Sequence, residues 1–556
     1  DFYLESVVPC SQQAGDCVVF QGNEVPIITI EETINVGVQG NILDSFVVRY
    51  EVVPHHGPIV PAIVGHRLAP RTGNQALSVR FTGYQPTQDI RAFFGLQKAA
   101  TRAQAFEAIG AFTHGAQNFV VADDAGDFGW TSYALVPLRS PGCFTFHAQN
   151  NPGGVTPYLV VPGDGSCEWE GGLDARYLPH AINPDPGYLA SANQDPVGQT
   201  FDGDALNGPV VDGRPLYLGA VYDIGFRLGR IARRIEAIRA TTLAATVQDM
   251  MAIQRDTFSN VGNLLRPHIA ASFAALAEEL AMPGTHADLV AVAALPAATR
   301  TRIGDAAGLL AAWSLETPPA VDPAASPDEL VDSAATVVFN AWMVYFLRAA
   351  FGDELALLGR TVDAQTTTRT AYNVFADPSF LQTGVSSVTG EALLCDSLDT
   401  AGTVESCRHL ALVALDEAMT WAATQFGSTD PNDWHWGEVH TLTLASQLPD
   451  PDLDLPSPSD PNPLWSNGYP RPGDQHAVNA ANGTLAWKFP VDPSKPNQAG
   501  YVYASPAVAP DGTVYFGTEE RNFSTGGSSG NLYAVTSSGS LKWKFPVGAS
   551  IYSDPT

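Results

Sequence analysis

The opening residues alternate short runs of β-branched and apolar residues with Gly, Asn and Pro, a pattern of strands separated by turns. CVVF, VPIITIEETINV, SFVVRYEVV and IVPAIVG carry it between residues 17 and 82 and predict a sheet. The spacing changes at 101–112, where RAQAFEAIGAF sets apolar residues three and four apart and predicts a short amphipathic helix. QNFVVADDAGDFGWTSYALVPLR then predicts a hairpin around an Asp/Gly turn. A turn-rich segment, CFTFHAQNNPGGVTPYLVVPGDGSCEWEGG, leads into LPHAINPDPGYLASANQDP at 178–196. From 223 onward the period is mostly helical. DIGFRLGRIARRIEAIRA places Ile224, Leu228, Ile231, Ile235 and Ile238 on one stripe opposite a basic face. VQDMMAIQRDTF, IAASFAALAEELA, ELVDSAATVVFNAWMVYFLRAAF and VESCRHLALVALDEAMTWAATQF continue the helical pattern. Strand character returns at EVHTLTLAS, and the Pro/Asp/Ser composition of LPDPDLDLPSPSDPNPLW predicts an exposed loop.

The tail carries an internal repeat. NGTLAWKFPV, starting at Asn482, recurs 56 residues on as SGSLKWKFPV, starting at Ser538, and the related phrases VYASP and IYSDP follow the two copies. The strands between them, around DG and SG turns, resemble the outer strands of β-propeller blades of the pyrroloquinoline-quinone-repeat type. About one and a half blades are too few to close a ring.

Composition narrows the class. A chain of 556 residues that is 45% apolar is a folding sequence long enough for two or more domains. Its 58 acidic against 29 basic residues give a net charge of −29, which disfavours nucleic acid and anionic membranes as partners. No run of eighteen apolar residues is present, so no membrane span is expected. The six cysteines fall into near neighbours, Cys10 with Cys17, Cys143 with Cys167 and Cys395 with Cys407. None has zinc-site spacing, so three local disulfides in an oxidising compartment are expected, free buried thiols being the alternative. The first residues, DFYLESVVPC, read as strand within a domain, so the lack of a leader says nothing about export.

Two short stretches offer chemistry. Asn193, near two prolines in what reads as an extended run, is a candidate buried carboxamide donor for an oxyanion, with a plain turn former as the alternative. His55 and His56 in PHHGPIV suggest a metal, but adjacent residues on a strand point to opposite faces, which favours a structural role.

Nine phrases in order carry a wider resemblance: DFYLE, PHHGPIV, QNFVVADDAGDFGW, LVVPGDGSCEWEGG, LPHAINPDPGYLASANQDPVG, YDIGFRLGRIARRIEA, MMAIQRDTFS, EVHTLTLAS and GYPRPGDQHAVNAAN. Together they make residues 1–475 resemble the nucleophile-bearing subunit of the penicillin acylase family, with 476–556 as the propeller-like segment. The resemblance implies an α+β fold. It is the N-terminal-nucleophile hydrolase αββα sandwich, two stacked antiparallel sheets between helices, with a large helical insertion and then an incomplete propeller-like tail.

The implied chemistry is hydrolysis of a small-molecule amide by an N-terminal Ser whose own α-amine is the base. That amine has an unperturbed pKa of about 7.7 to 8.0, close to working pH. This sequence starts at Asp1, so the resemblance implies that the nucleophile segment and the small subunit of the same precursor lie elsewhere and that this chain alone is inactive. Asn193 matches the family's oxyanion-hole carboxamide. Arg227 matches an active-site arginine, the alternative being a solvated helix arginine like Arg230, Arg233 and Arg234. A structural Ca2+ is implied, with Asp1, the Pro157 carbonyl and Asp204 as ligands, Asp202 standing in for Asp204 or all the carboxylates being solvated loop groups. The implied location is periplasmic or extracellular, with penicillin side chains and N-acyl homoserine lactones among the candidate substrates. A non-catalytic scaffold with a degenerate acylase body is the rival reading, and a quinone dehydrogenase a weaker one.

Overall fold

The computed structural model describes residues 1–474 except 39–40, 65–66, 145–159, 201–204, 207, 220–221, 242–244, 358–361, 363, 401–404, 446–451 and scattered positions within 384–400 and 453–467; beyond 474 it describes the backbone of five strands. It comprises two compact units, Asp1–Tyr222 with Pro490–Thr556, and Asp223–Phe489.

The first unit is built on the strand Phe2–Pro9. It pairs antiparallel with Gln75–Val79 and Asp16–Phe20 and parallel with Val161–Pro162. A strand turns alternate residues to one face, and here Tyr3, Glu5 and Val7 are all buried. Val7 packs with Val18, Val53, Ile59 and Ala76, whereas Tyr3 packs with Val161 beside the Cys143–Cys167 disulfide. Cys10–Cys17 closes the turn to the next strand. The expected hairpin forms from Gln117–Ala122 and Phe128–Tyr133, its turn held by Asp123, which accepts from the Asp127 amide. The expected helix is Arg102–Ile109, capped by the Thr101 side chain; a second helix, Asp89–Lys98, was not marked by the pattern.

The fold mixes helices and sheets as expected, the strands among the described residues forming eight sheets of at most five strands. Among the described residues the long ribbon Ile28–Val38 and Asn41–Val53 joins, beyond its own pairing, only Gly57–Pro58, and Ile28, Ile30, Ile42 and Val47 on it are exposed. The strands Gln498–Tyr501, Ala507–Val508, Val514–Asn522, Gly527–Val535 and Leu541–Pro546 make one antiparallel sheet, with no closed propeller among the described residues. The first repeat copy, 482–491, lies outside them.

The second unit is helical. Asn260–Ala281, Ala297–Ala312, Pro327–Leu357 and Cys407–Phe426 bury a core in which Trp342, Phe346 and Phe375 stack or tilt against one another. Pro327–Leu357 is long and apolar enough to cross a membrane, yet 78% of its apolar window is buried inside the protein. The third expected disulfide, Cys395–Cys407, sits at the start of the last of these helices. The strand expected in EVHTLTLAS shrinks to Thr441–Leu442, because Trp436–Val439 forms one helical turn. Trp436 is pinned there by its amide to Ser333 Oγ at 2.7 Å and its indole to the Gly473 carbonyl at 2.8 Å.

Candidate active site

An inward carboxylate on an apolar strand face must find partners, since burying an unpaired charge is costly. Glu5 does so between Tyr3 and Val7. Its Oε1 lies 2.7 Å from His56 Nδ1 and accepts from Ser78 Oγ at 2.6 Å. His56 Nε2 is 2.8 Å from Glu168 Oε1, and Arg80 donates to Glu168 Oε2 at 2.8 Å. The imidazole stacks on Tyr3 with ring centres 3.7 Å apart. Burial alone would lower the His56 pKa, but the hydrogen bonds to Glu168 and Glu5 outweigh it and hold the ring above the usual histidine value. Burial pushes the Tyr3 hydroxyl up to about 12.

Arg80 leads to a second cluster. Its guanidinium lies 4.6 Å from the Trp169 ring centre, and the Trp169 indole donates to Asp1 Oδ2 at 2.6 Å. Arg139 grips the same carboxylate through Nε and Nη2, at 3.0 and 2.8 Å. Asp1 is almost fully buried there, at 1% side-chain exposure.

Asn193 departs from its expected setting. It is exposed, and its φ of 61° is left-handed, not extended. Asparagine tolerates that region because its short amide bonds locally. What fixes the loop is the neighbour Asp195, 5% exposed. Its Oδ1 accepts from the Val197 and Gly198 amides at 2.9 Å each. Its Oδ2 accepts from the Thr200 amide at 2.6 Å and the Thr200 hydroxyl at 2.8 Å. Burial first, then the Asp195 charge, push the Tyr222 hydroxyl well above its ordinary range.

Arg227 lies in the second unit, on the helix Phe226–Thr241, where its Nε donates to Asp223 Oδ2 at 3.0 Å. Its neighbours share other acids and amides: Arg230 and Arg234 pair with Asp256, and Arg233 donates to Asn260 Oδ1. The expected apolar stripe of this helix is only half-buried, with no buried residue along it.

A family model described as penicillin amidase matches residues 1–524. The chain belongs to the penicillin amidase family. Over 253 residues it is 25% identical to the acyl-homoserine lactone acylase QuiP of Pseudomonas fluorescens, covering 45% of this chain and 28% of that protein. Over 222 residues it is 29% identical to the penicillin acylase 2 proenzyme of a Pseudomonas species, covering 40% of this chain and 24% of that one. These matches thus span about a quarter of the length of either curated relative. Among solved structures, the thermostable penicillin G acylase from Alcaligenes faecalis in orthorhombic form aligns at 16% identity with a TM-score of 0.46, over 78% of this chain and 66% of that one.

For this penicillin amidase family member the implied calcium can be checked only at Asp1, since Pro157, Asp202 and Asp204 lie outside the described residues. A calcium ligand must offer an oxygen to the ion. Both Asp1 oxygens accept from Arg139 and one also from Trp169, as ligating carboxylates commonly do.

The histidine pair also corrects the sequence reading. His55 and His56 sit in a turn, not on a strand, with ring centres 4.3 Å apart. Glu5, Ser78, Arg80, Arg139, Glu168 and Asp195 went unmarked. Glu5 alone had a signal, a carboxylate interrupting the alternate apolar row of FYLESVV.

Proposed function

We propose that the chain is the body of an amidohydrolase that cleaves a non-peptide amide of an acylated amine, by acyl transfer to an N-terminal Ser carried outside these 556 residues. Asn193 donates its amide to the oxyanion, and the small subunit and nucleophile of the same precursor complete the site. The observation that supports this reading is the Asn193 loop. An exposed carboxamide held in left-handed backbone, two residues from a buried Asp195 that accepts four hydrogen bonds, is a neutral donor on a preorganised loop. The curated relatives, named for acyl-homoserine lactones and penicillin, supply the two substrate classes to try.

The test uses the mature enzyme from its complete precursor. A chromogenic phenylacetyl amide and an acyl homoserine lactone are assayed with parent and Asn193→Ala. Loss of one oxyanion donor lowers kcat by about 10² to 10³. A variant rate within a few-fold of the parent overturns the assignment of Asn193, and no hydrolysis of either substrate by the parent overturns the reading as a whole.

A further inference from the structure

We infer that Glu5, His55 and His56 form a binding site for one borderline transition-metal ion, best suited to Zn2+, that ties the first strand to the turn at 54–56. The site is separate from Asn193 and from the proposed amide hydrolysis, and does not depend on either.

Three observations carry it. One ligand atom from each of the three residues lies within 4.8 Å of the others. Two imidazoles and a carboxylate make a ligand set that zinc takes. Second, the pocket contains unsatisfied buried atoms: Glu5 Oε2 and His55 Nε2 have no hydrogen-bond partner, although Glu5 is wholly buried. Buried polar atoms are nearly always partnered, so two orphans on facing side chains mark a place for a further group. Third, the surroundings are those a metal site needs around its ligands. A ligating histidine usually gives its other ring N–H to a carboxylate. His56 does this through Nε2 to Glu168, which Arg80 holds in turn, and Ser78 orients Glu5.

The chemistry balances through one proton. His56 Nδ1 and Glu5 Oε1 share a hydrogen bond at 2.7 Å. At metal–ligand bonds of about 2.05 Å, two tetrahedral zinc ligands stand roughly 3.3 Å apart. The ion therefore enters as the shared proton leaves to solvent and the pair opens by about half an ångström, with Glu5 free to use its unpartnered oxygen. His55 is suited to join it, since its Nε2 is buried and has no hydrogen-bond partner. Gly163 keeps the place clear: a Cβ there would come within 2.3 Å of Glu5 Oε2.

The experiment strips the full chain with chelator and titrates it with ZnCl2 by calorimetry and with CoCl2 by visible absorption. One ion per chain is expected, with the intense d–d bands of four-coordinate Co2+ and affinity falling as pH drops. Glu168→Gln should weaken Zn2+ binding by about tenfold, and His55→Ala by more, while His435→Ala, at a half-buried site elsewhere, leaves it unchanged. His55 is only partly buried, so His55→Ala should keep the metal-free Tm of the parent; should it not fold, His55→Gln serves instead. Absence of saturable binding, or binding that His55→Ala leaves intact, overturns the site, the second outcome meaning adventitious surface ions only.

Discussion

Ser259 Oγ donates to Asp474 Oδ2 at 2.5 Å, joining residues 215 positions apart within the second unit. Asp474 is 1% exposed. Burial therefore raises its pKa from 3.8 to about 7, against the lowering effect of the Ser259 bond. The folded chain keeps this proton in a range where the unfolded chain has lost it. Stability from this group is full below pH 3.8, falls as pH rises toward about 7 and is level above. Asp474→Asn removes the titration and keeps the shape. Relative to the parent, the variant should gain on the order of a few kcal/mol between pH 4 and pH 7.5, read by urea denaturation at several pH values. A pH-independent difference between the two proteins would sink the idea.

Gly57 follows His56 with φ +90°, and a Cβ on it would meet the Val79 carbonyl oxygen at 2.4 Å. Both the backbone conformation and the close approach demand glycine. Gly57→Ala should cost about 2 kcal/mol or more, since a strained φ alone costs about 1 to 3. Gly15, at φ +111° with nothing within 4 Å of its Cβ position, isolates the strain without the clash. Gly57→Ala should destabilise clearly more than Gly15→Ala in denaturant titrations. Equal losses would show that the Val79 contact does not matter.

What the sequence made legible was local. The hairpin at Gln117–Tyr133 and the long helices follow from periodicity and turn residues within a few positions of each other. The buried ion network was illegible because its members meet across the chain: Glu5 reaches His56 over 51 positions and Ser78 over 73, and His56 reaches Glu168 over 112. The nearby prolines predict a buried, extended Asn193, but the Asp195 turn, built from amides at 197, 198 and 200, curls the loop and leaves Asn193 exposed. EVHTLTLAS has strand composition, and tertiary anchoring of Trp436 overrides it.

Cys395 and Cys407 are both fully buried in the helical core and close a loop of 12 residues. By loop closure alone that crosslink stabilises by roughly 3 kcal/mol. Cys10–Cys17, where Cys17 is buried and Cys10 half-buried, closes only 7. Replacing Cys395 and Cys407 together by Ala should lower stability by about 3 kcal/mol or more, the buried sulfurs adding a packing loss. The same change at Cys10 and Cys17 should cost less. Denaturant midpoints of the oxidised parent and both double variants decide it, and a smaller loss at Cys395/Cys407 than at Cys10/Cys17 would contradict the account.

Asp195 is the residue through which the Asn193 loop can be tested without touching the proposed donor. Its two oxygens take four hydrogen bonds from residues 197, 198 and 200. Asn at this position keeps one acceptor oxygen and turns an N–H₂ toward groups that also donate, so two bonds are lost and repulsion replaces them. A loop loosened by about an ångström misplaces the carboxamide, and such displacements cost up to about 10² in rate. As a positioning residue, Asp195 should act on kcat and leave KM nearly unchanged, because substrate binding does not use the loosened donor. In the mature enzyme, Asp195→Asn should therefore lower kcat by about ten- to a hundred-fold with KM within a few-fold of the parent. Combined with Asn193→Ala it should add little, since the donor it positions is already gone. Fully additive losses in the double variant would mean that Asp195 supports the fold and does not act through Asn193.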